Sequence, residues 1–423
     1  MKKIILTIIL LSILGQISFS QVYTEKQTRH RFAQLNMGLD WETNFGGHTN
    51  YLDKAGNIKT TKLSSTYTPR FVIGGTHFWG HADFYIAIPL SSPKIAADNQ
   101  EIQYLRGVET AFKYYPRRIE HRKFSPYIGF SIAPFYFEQH NNFLAFKNGP
   151  ELYSTNFPLL TGVTFLNKNH LFEFGLAWNY ANKQTYPISR LQKAVIKTPP
   201  LYLNLSYRYM LETTLSAEKN WESGQTKVIT EKLTMQKKLN GVYVGVGLSA
   251  AFWSGESSYN TAERTYIEKY GISILPDFTF GYYLHRPDIN IALGYRGYGT
   301  STNTYGTRQV LQRNSLVLET TKCLFDYHGF VPFIGPAISY ENLSFKEQFE
   351  QQQAYEVSKN KIGYGITFGW DIRPTRIQTW ILRTNLRWYP NLKLEVKGEK
   401  KISFDTLEFN FIQLIIYPNR LFK

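Results

Sequence analysis

The sequence predicts an all-β protein, a transmembrane antiparallel up-and-down β-barrel of about sixteen strands. Three observations lead to this prediction. Apolar and polar residues alternate over segments of roughly ten residues, the length that a tilted strand needs to cross a bilayer. Aromatic residues make up 16% of the chain and recur at the ends of these segments. Short and long connections also alternate, as expected where turns on one side of a membrane are short and loops on the other are long.

The N-terminal segment is predicted to direct export and to lie outside the fold. Lys2 and Lys3 precede an apolar stretch, residues 4–15, that is too short to span a bilayer. Ser18 and Ser20 supply the small residues that a signal peptidase recognises, so we expect cleavage before Gln21. Residues 1–20 are therefore predicted to be a signal peptide.

The first half of the predicted barrel comprises residues 21–210. Its repeating unit is clearest in residues 113–136, where two alternating segments flank a short, very basic turn. Alternation is most regular in residues 171–180, in which Phe172, Phe174 and Leu176 face one way while Glu173 and Gly175 face the other. The other strands predicted here are 31–41, 70–79, 83–90, 104–115, 127–136, 157–166 and 201–209.

The second half, residues 240–423, repeats this order. Its predicted strands are 242–253, 278–283, 288–295, 316–325, 333–340, 362–371, 377–388 and 404–417. Residues 125–136 align with 331–340, and 83–90 align with 288–295, which predicts an internal duplication of an eight-strand unit. Residues 211–239, long and charged, are predicted to be a periplasmic linker or a long turn.

Two tandem eight-stranded barrels are the alternative to a single barrel of about sixteen strands. The choice matters because sixteen strands leave an aqueous channel, whereas the interior of eight is filled by side chains. We expect the single barrel, since closing all strands in one sheet removes every open edge.

The alternating segments are typical of a sheet in lipid. Hydrocarbon offers no hydrogen-bond partner to the backbone, so a sheet there must close on itself, with its apolar face outward. The predicted strand ends carry interfacial aromatics, namely Trp41, Tyr114, Tyr136, Tyr180, Trp253, Tyr340 and Trp388.

This pattern resembles that of Gram-negative outer-membrane β-barrel proteins, a broad, porin-like class, over nearly all of the mature chain. The resemblance rests on the pattern alone, without a diagnostic motif, and implies a location in the outer membrane of the cell envelope. One departure is that Phe422 is followed by Lys423, whereas such barrels often end on an aromatic residue.

The net charge and the cysteine content limit the classes of partner and of site that the sequence allows. The net charge is +16, which in an exported chain indicates attraction to outer-membrane lipid and lipopolysaccharide head groups and not to nucleic acid. Another envelope protein is the alternative partner. A basic turn at Arg117, Arg118, Arg122 and Lys123 suits either anionic lipid or a periplasmic partner. Cys323 is the sole cysteine, which excludes a disulfide framework and a thiolate metal site.

The charged residues on the polar faces are the candidate functional residues. By alternation, twelve point into the lumen: Asp40, Glu109, Lys113, Glu173, Arg208, Asp277, Arg296, Glu319, Asp371, Arg383, Arg387 and Glu408. They either pair into a packed network or form a constriction that selects solutes by charge, with Arg383 and Arg387 as its basic side.

The expected function is a passive or weakly selective pore for small polar solutes. The alternative is a non-conducting barrel that serves as a structural or assembly partner in an envelope complex. No H-E-x-x-H or G-x-S-x-G motif occurs, so we expect no enzyme activity, no cofactor and no metal site. The predicted turns and loops contain His48, His121, His140, His170, His285 and His328.

Overall fold

The computed structural model describes residues 31–92, 94–97, 100–143, 148–213, 225–267, 269–350, 352–373 and 379–421. The predicted signal peptide lies outside the described residues, as do Phe422 and Lys423 and the part of the predicted linker at 214–224.

Fifteen strands precede the linker. They are β1 (Ala33–Asn44), β2 (His48–Leu52), β3 (Ile58–Lys62), β4 (Tyr67–His77), β5 (Ala82–Pro89), β6 (Lys94–Ala97), β7 (Gln100–Arg106), β8 (Glu109–Tyr114), β9 (Phe124–Asn141), β10 (Glu151–Asn156), β11 (Leu159–Asn167), β12 (His170–Trp178), β13 (Lys183–Pro187), β14 (Lys193–Lys197) and β15 (Leu201–Glu212). Eight of these pair in the order β11–β12–β15–β1–β4–β5–β8–β9, and β9 closes onto β11. We call this closed antiparallel sheet the first barrel.

Ten strands follow the linker: β16 (Gly241–Trp253), β17 (Ser273–Leu284), β18 (Ile289–Thr304), β19 (Thr307–Cys323), β20 (Phe330–Phe349), β21 (Tyr355–Ile372), β22 (Trp380–Tyr389), β23 (Lys393–Glu395), β24 (Lys401–Ser403) and β25 (Thr406–Ile416). β16 to β22 and β25 form the second barrel, which is closed. Short helices span Gln225–Met235, Ser258–Glu263 and Pro418–Leu421, and a 3₁₀ turn spans Phe78–Gly80. In the described part of the chain, no helix has both the length and the apolar character to cross a membrane.

The barrel strands thus form two barrels of eight, which confirms a transmembrane antiparallel barrel fold in its tandem form. The single sixteen-stranded barrel is wrong. β1 pairs with β15 from Gln34 opposite Glu212 to Asn44 opposite Tyr202, and β16 pairs with β25 in the same way. Each set of eight therefore has no open edge left, and nothing remains to join the two sheets.

The short connections β4–β5, β11–β12, β17–β18 and β19–β20 lie at one end of the two barrels, and the long connections β1–β4, β12–β15, β16–β17 and β22–β25 lie at the other. In this class of barrel the short turns face the periplasm, so the long-loop end faces outward. The connections expected after Arg296 and Tyr340 are extended strands and not loops. β18 and β19 run on to a tight turn at Tyr305 and Gly306, where φ is 48° and 80°.

Strand boundaries differ most where glycine or polar residues interrupt the pattern. The predicted strand 104–115 is two strands, β7 and β8, separated at Gly107, whose N–H donates to Pro134 O at 2.6 Å. β7 leaves the barrel wall and pairs with the outer part of β9. The outer extension of β18 is rich in Gly, Ser, Thr and Asn, and those of β19 to β21 carry many charged and amide residues, so they show little apolar alternation.

The outer walls of both barrels are apolar. Leu39, Phe174, Leu293 and Ile338 are about half exposed, as residues on a lipid-facing wall are when the chain is considered alone. Trp41, Tyr180, Tyr340 and Trp388, at the predicted strand ends, are also half exposed. These aromatics occupy the positions of an interfacial belt.

Trp253 does not belong to this belt and is only 8% exposed. Its indole Nε1 donates to Ser273 Oγ at 3.0 Å, and its ring lies 5.7 Å from that of Phe404. The second barrel is filled at this height by a cluster of apolar side chains, which includes Leu275, Leu311 and Phe345. An inward tryptophan is more favourable there than an exposed one, because it adds to this apolar core.

The two barrels touch at both ends. At the short-turn end, the ring of Trp79 lies 5.0 Å from Phe32 in the first barrel and 5.2 Å from His328 in the second. At the long-loop end, Tyr305 N donates to Asn148 O at 2.8 Å, and Arg190 forms a 2.8 Å ion pair with Glu350. These contacts hold the barrels side by side.

Candidate functional site: the charged barrel interiors

The twelve charged residues predicted to face a lumen all lie inside a barrel, and none is more than 6% exposed. The first barrel holds Asp40, Glu109, Lys113, Glu173 and Arg208, and the second holds Asp277, Arg296, Glu319, Asp371, Arg383, Arg387 and Glu408. A buried charge without a partner costs several kcal/mol, so the pairing of these groups decides what the interiors can do.

Arg70 organises one cluster in the first barrel. Its guanidinium contacts Asp40 at 2.7 Å, Glu42 at 2.8 Å and Glu109 at 2.6 Å. Arg106 contacts Glu42 at 2.6 Å and also pairs with Glu109. Two arginines thus neutralise most of the charge of three carboxylates, and they come from β4 and β7 while the acids come from β1 and β8.

A second cluster lies nearer the short-turn end of the first barrel. Arg208 contacts Asp83 at 2.8 Å and Glu173 at 2.7 Å. Lys113 pairs with Glu173 as well, and its ammonium lies 4.4 Å from the ring centres of both Tyr85 and Tyr127. The cation is therefore held by an ion pair and by two aromatic faces, which leaves it no free charge to offer a solute.

The middle of the second barrel carries a network based on arginine. Arg387 contacts Asp277 at 2.6 Å and Glu319 at 2.7 Å, and Arg296 contacts Glu319 at 3.0 Å. Arg296 Nε also lies 3.7 Å from Glu408. Each of these acids is shared between arginines from different strands, so the network ties opposite walls of the barrel together.

Two further pairs lie above and below this network. Arg313 forms a bidentate pair with Glu341, with contacts of 2.8 and 2.7 Å. Nearer the short-turn end, Arg383 forms a bidentate pair with Asp371 at 2.7 and 3.0 Å. Fork-to-carboxylate geometry of this kind is the strongest side-chain pairing available to arginine.

Arg383 and Arg387, the candidate basic side of a constriction, each face carboxylates and lie in different pairs. The structure brings together Asp277, Arg296, Glu319, Arg387 and Glu408 as one group. Asp371 and Arg383 form a second group, which Arg373 joins at 3.7 Å from Asp371.

Sequence reasoning missed several members of these networks: Glu42, Arg70, Asp83, Arg106, Arg313, Glu341 and Arg373. For some of them, strand alternation did indicate an inward position. Asp83 alternates with the outward Phe84, and Arg70 has the same parity as the inward Val72. Arg313 and Glu341 lie in the extended parts of β19 and β20, where the predicted strands had already ended.

Glu151 and Glu120 are among the acids outside the membrane-spanning parts whose pKa values are shifted. Burial raises the pKa of Glu151, although hydrogen bonds from Thr302 and from Asn303 N oppose this shift. Hydrogen bonds from Lys123 and Arg118 lower the pKa of Glu120, in the basic turn. Within the described ranges, no three His, Cys, Asp or Glu side chains are grouped so that they could hold a metal ion.

Comparison with known proteins gives no family assignment. No family model matches the sequence, and no curated protein matches it. Among solved structures, Neisserial surface protein A is 16% identical, with a TM-score of 0.31, and covers 42% of this chain and 97% of its own. Ail, the attachment invasion locus protein of Yersinia pestis, is 9% identical, with a TM-score of 0.26, and covers 42% of this chain and 96% of its own. OmpT, an outer membrane protein of Vibrio cholerae, is 8% identical, with a TM-score of 0.18, and covers 91% of this chain and 98% of its own. At these TM-scores the likenesses support no statement about what this chain binds or does.

The physical features of the chain define its class. Two closed sheets with apolar outer walls, belts of half-exposed aromatics and charge-filled interiors are stable in a bilayer and would expose a large apolar surface in water. The chain is an integral β-barrel protein of the outer membrane of a Gram-negative bacterium.

Proposed function

We propose that this chain is a non-conducting outer-membrane protein whose two barrels serve as a structural or assembly partner in an envelope complex. The observation that carries the proposal is the pairing of the buried interior charges. Residues that would have to line a path for solutes are instead closed into ion pairs and are at most 6% exposed. A pore for small polar solutes, the function that the alternation pattern favours, needs solvent along the whole lumen.

The filling of the second barrel supports the proposal over its whole length. Charged pairs occupy the middle and the short-turn end, and an apolar cluster around Trp253, Tyr298 and Phe404 occupies the outer end. A solute would have to displace both layers. Breaking buried ion pairs costs several kcal/mol each, which is more than passive diffusion supplies.

We also propose that the chain has no catalytic activity of its own. The interior carboxylates are engaged by arginine or lysine and are out of reach of solvent, so they are poorly placed to act as a general acid or base on a substrate.

Planar-bilayer conductance tests the non-conducting part. The refolded mature chain should leave the bilayer closed at a protein load at which a sixteen-stranded porin gives discrete current steps. The variant Arg383→Ser/Asp371→Ser removes one buried pair without changing the net charge of the interior, and it should stay closed because the network around Arg387 and the apolar layer remain. Reproducible unitary steps from the unmodified chain would refute the proposal.

Affinity isolation tests the assembly part. The tagged chain, expressed at its native level and extracted in mild detergent, should retain one companion in fixed stoichiometry after high-salt washes. A matched tagged barrel of another function controls for unspecific membrane association. Recovery of the chain alone under conditions that preserve known envelope complexes would contradict an assembly role.

A further inference from the structure

Above the first barrel, the wall continues as a second sheet. β2, β3, β13 and β14 pair in the order β13–β14–β2–β3. Along the chain they adjoin β1, β4, β12 and β15, which pair in the matching order β12–β15–β1–β4. The small sheet is therefore an outward extension of the same side of the barrel.

Strand register places four basic residues in one line across this sheet. Lys183 is opposite Lys197, Lys197 is opposite His48, and His48 is opposite Lys62. Directly opposed residues in antiparallel strands point to the same face. At a strand spacing of about 4.8 Å, these four residues, which we call the basic row, span about 14 Å.

The basic row lies on the outer face of the sheet. The opposite face is buried, because Thr49 Oγ1 lies 2.7 Å from Tyr186 Oη and the ring of Tyr186 packs 5.3 Å from that of Phe137. Lys183 and Lys62, at the two ends of the basic row, are exposed, and the two central residues are half-buried.

Nothing within the sheet balances this charge. The segments HTNYL, IKTTK, KQTYP and KAVIK contain no acid. Among the described residues, no ion pair joins a member of the basic row to a carboxylate. Lys183 and Lys197 are like charges directly opposite one another, which destabilises a sheet, so an anion lying across the row would relieve this repulsion.

The height of the basic row indicates what that anion is. Trp41, Tyr67, Trp178 and Tyr180 end the membrane strands beneath it and are 51%, 61%, 51% and 55% exposed. Such aromatics mark the boundary between hydrocarbon and head groups. The basic row begins a few residues beyond them, on a face that continues the lipid-facing wall, so it faces sideways into the head-group layer.

We propose that the basic row binds the phosphate groups of lipopolysaccharide in the outer leaflet. The spaced cations would bridge more than one phosphate of a head group, or phosphates of neighbouring lipids, and so fix the first barrel to its surrounding lipid. This inference needs the chain to lie in the outer membrane, but it does not depend on whether the chain conducts or has a protein partner.

The test compares two triple variants of the full mature chain in detergent micelles. Lys62→Gln/Lys183→Gln/Lys197→Gln removes the lysines of the basic row. Lys54→Gln/Lys59→Gln/Lys359→Gln removes the same charge from exposed lysines outside it. Heat-modified gel mobility verifies that both variants fold.

Native mass spectrometry then counts bound lipid A across a titration, with dephosphorylated lipid A and phosphatidylcholine as further probes. At about 1 kcal/mol for each lysine near an anionic surface, the row variant should bind lipid A roughly 100-fold more weakly, while the control variant binds as the unmodified chain does. Equal binding by the two variants, or equal binding of dephosphorylated lipid A, would overturn the proposal. Loss of binding to soluble polyphosphate with lipid A binding unchanged would also overturn it, because the basic row would then serve a free polyanion.

Discussion

The two barrels have the same wall but close their outer ends differently. In the first, most membrane strands stop early, as β5 (Ala82–Pro89) and β8 (Glu109–Tyr114) do, and apart from the long β9 it is separate small sheets that carry the chain outward. In the second, β18 to β21 continue without a break for 16 to 20 residues. Apolar side chains fill the space enclosed in both cases, around Tyr104 and Phe137 in the first and around Trp253 and Phe404 in the second.

The interiors differ in how the charges are shared. In the first barrel one arginine, Arg70, faces three carboxylates, and a lysine takes part in the pairing. In the second, the buried cations of the described interior are arginines, and two of them, Arg313 and Arg383, form bidentate pairs. The second barrel thus combines a shared network around Arg296 and Arg387 with separate bidentate pairs, and removal of a shared cation should cost more than removal of a paired one.

The largest expected effect comes from Arg70→Met. Asp40, Glu42 and Glu109 would all lose a partner while buried, so the free energy of unfolding should fall by about 5 kcal/mol. Arg313→Met in the second barrel leaves chiefly Glu341 without its charged partner. Because Glu341 keeps a hydrogen bond from Ser315 at 2.9 Å, we expect the free energy of unfolding to fall by about 3 kcal/mol.

Urea unfolding in lipid vesicles, followed by circular dichroism, measures both losses. Lys94→Met, which breaks an exposed pair with Glu101, is the control and should cost less than about 1 kcal/mol. Equal losses at Arg70 and Arg313 would show that connectivity within the network does not matter.

A smaller effect is expected where the barrels meet. Trp79 is 6% exposed and packs against rings of both barrels, so Trp79→Ala should cost about 3 kcal/mol. It should also separate the unfolding of the two barrels into two steps in the same titration. Trp178→Ala, in the lipid-facing belt of the first barrel, is the matched control and should leave the number of steps unchanged. A single cooperative step in Trp79→Ala would mean that the outer contacts alone couple the barrels.

A methyl group added at a tightly packed glycine of the barrel wall should destabilise the two barrels by similar amounts. A Cβ at Gly38 would lie 1.9 Å from Tyr207 O, and one at Gly335 would lie 1.8 Å from Thr320 O. Each Gly→Ala change should therefore cost about 1–3 kcal/mol by overpacking. At Gly299 the nearest atom would be 4.0 Å away, so Gly299→Ala should stay within about 0.5 kcal/mol of the unmodified chain. Thermal unfolding of the three variants tests whether these strand contacts are as tight as the backbone geometry indicates.

The smallest effect concerns pH and the basic turn of the first barrel. Hydrogen bonds from Lys123 and Arg118 lower the pKa of Glu120 below its usual 4.5. The stabilisation is therefore present above pH 4.5 and is lost as pH falls through the lowered value. Because the pair is exposed, the difference in stability between the unmodified chain and Glu120→Gln should be below about 0.5 kcal/mol at pH 7. It should disappear in strongly acidic buffer, and a difference that grew on acidification would contradict the sign.

The sequence predicts more of the candidate site, namely which residues face inward, than of the fold around it. Alternation alone places Glu173 and Arg387 inside, because residues two apart share a face of a strand. It cannot tell that Glu173 meets Arg208 and Lys113, since those contacts join strands that are distant along the chain. It also fails where strands run on through mostly charged and amide residues, which is why Arg313 and Glu341 escaped prediction.

The amino-acid sequence by itself determined the alternation of the walls, the aromatic strand ends and the inward position of the twelve charges, because all of these follow from neighbours along a single strand. Only the tertiary structure decided that β15 returns to β1 and that β16 meets β25, and hence that there are two barrels in place of one. The same holds for the line of Lys183, Lys197, His48 and Lys62, which are far apart in the chain. Which edges pair, and in what register, depends on contacts between distant segments, and no local pattern records them.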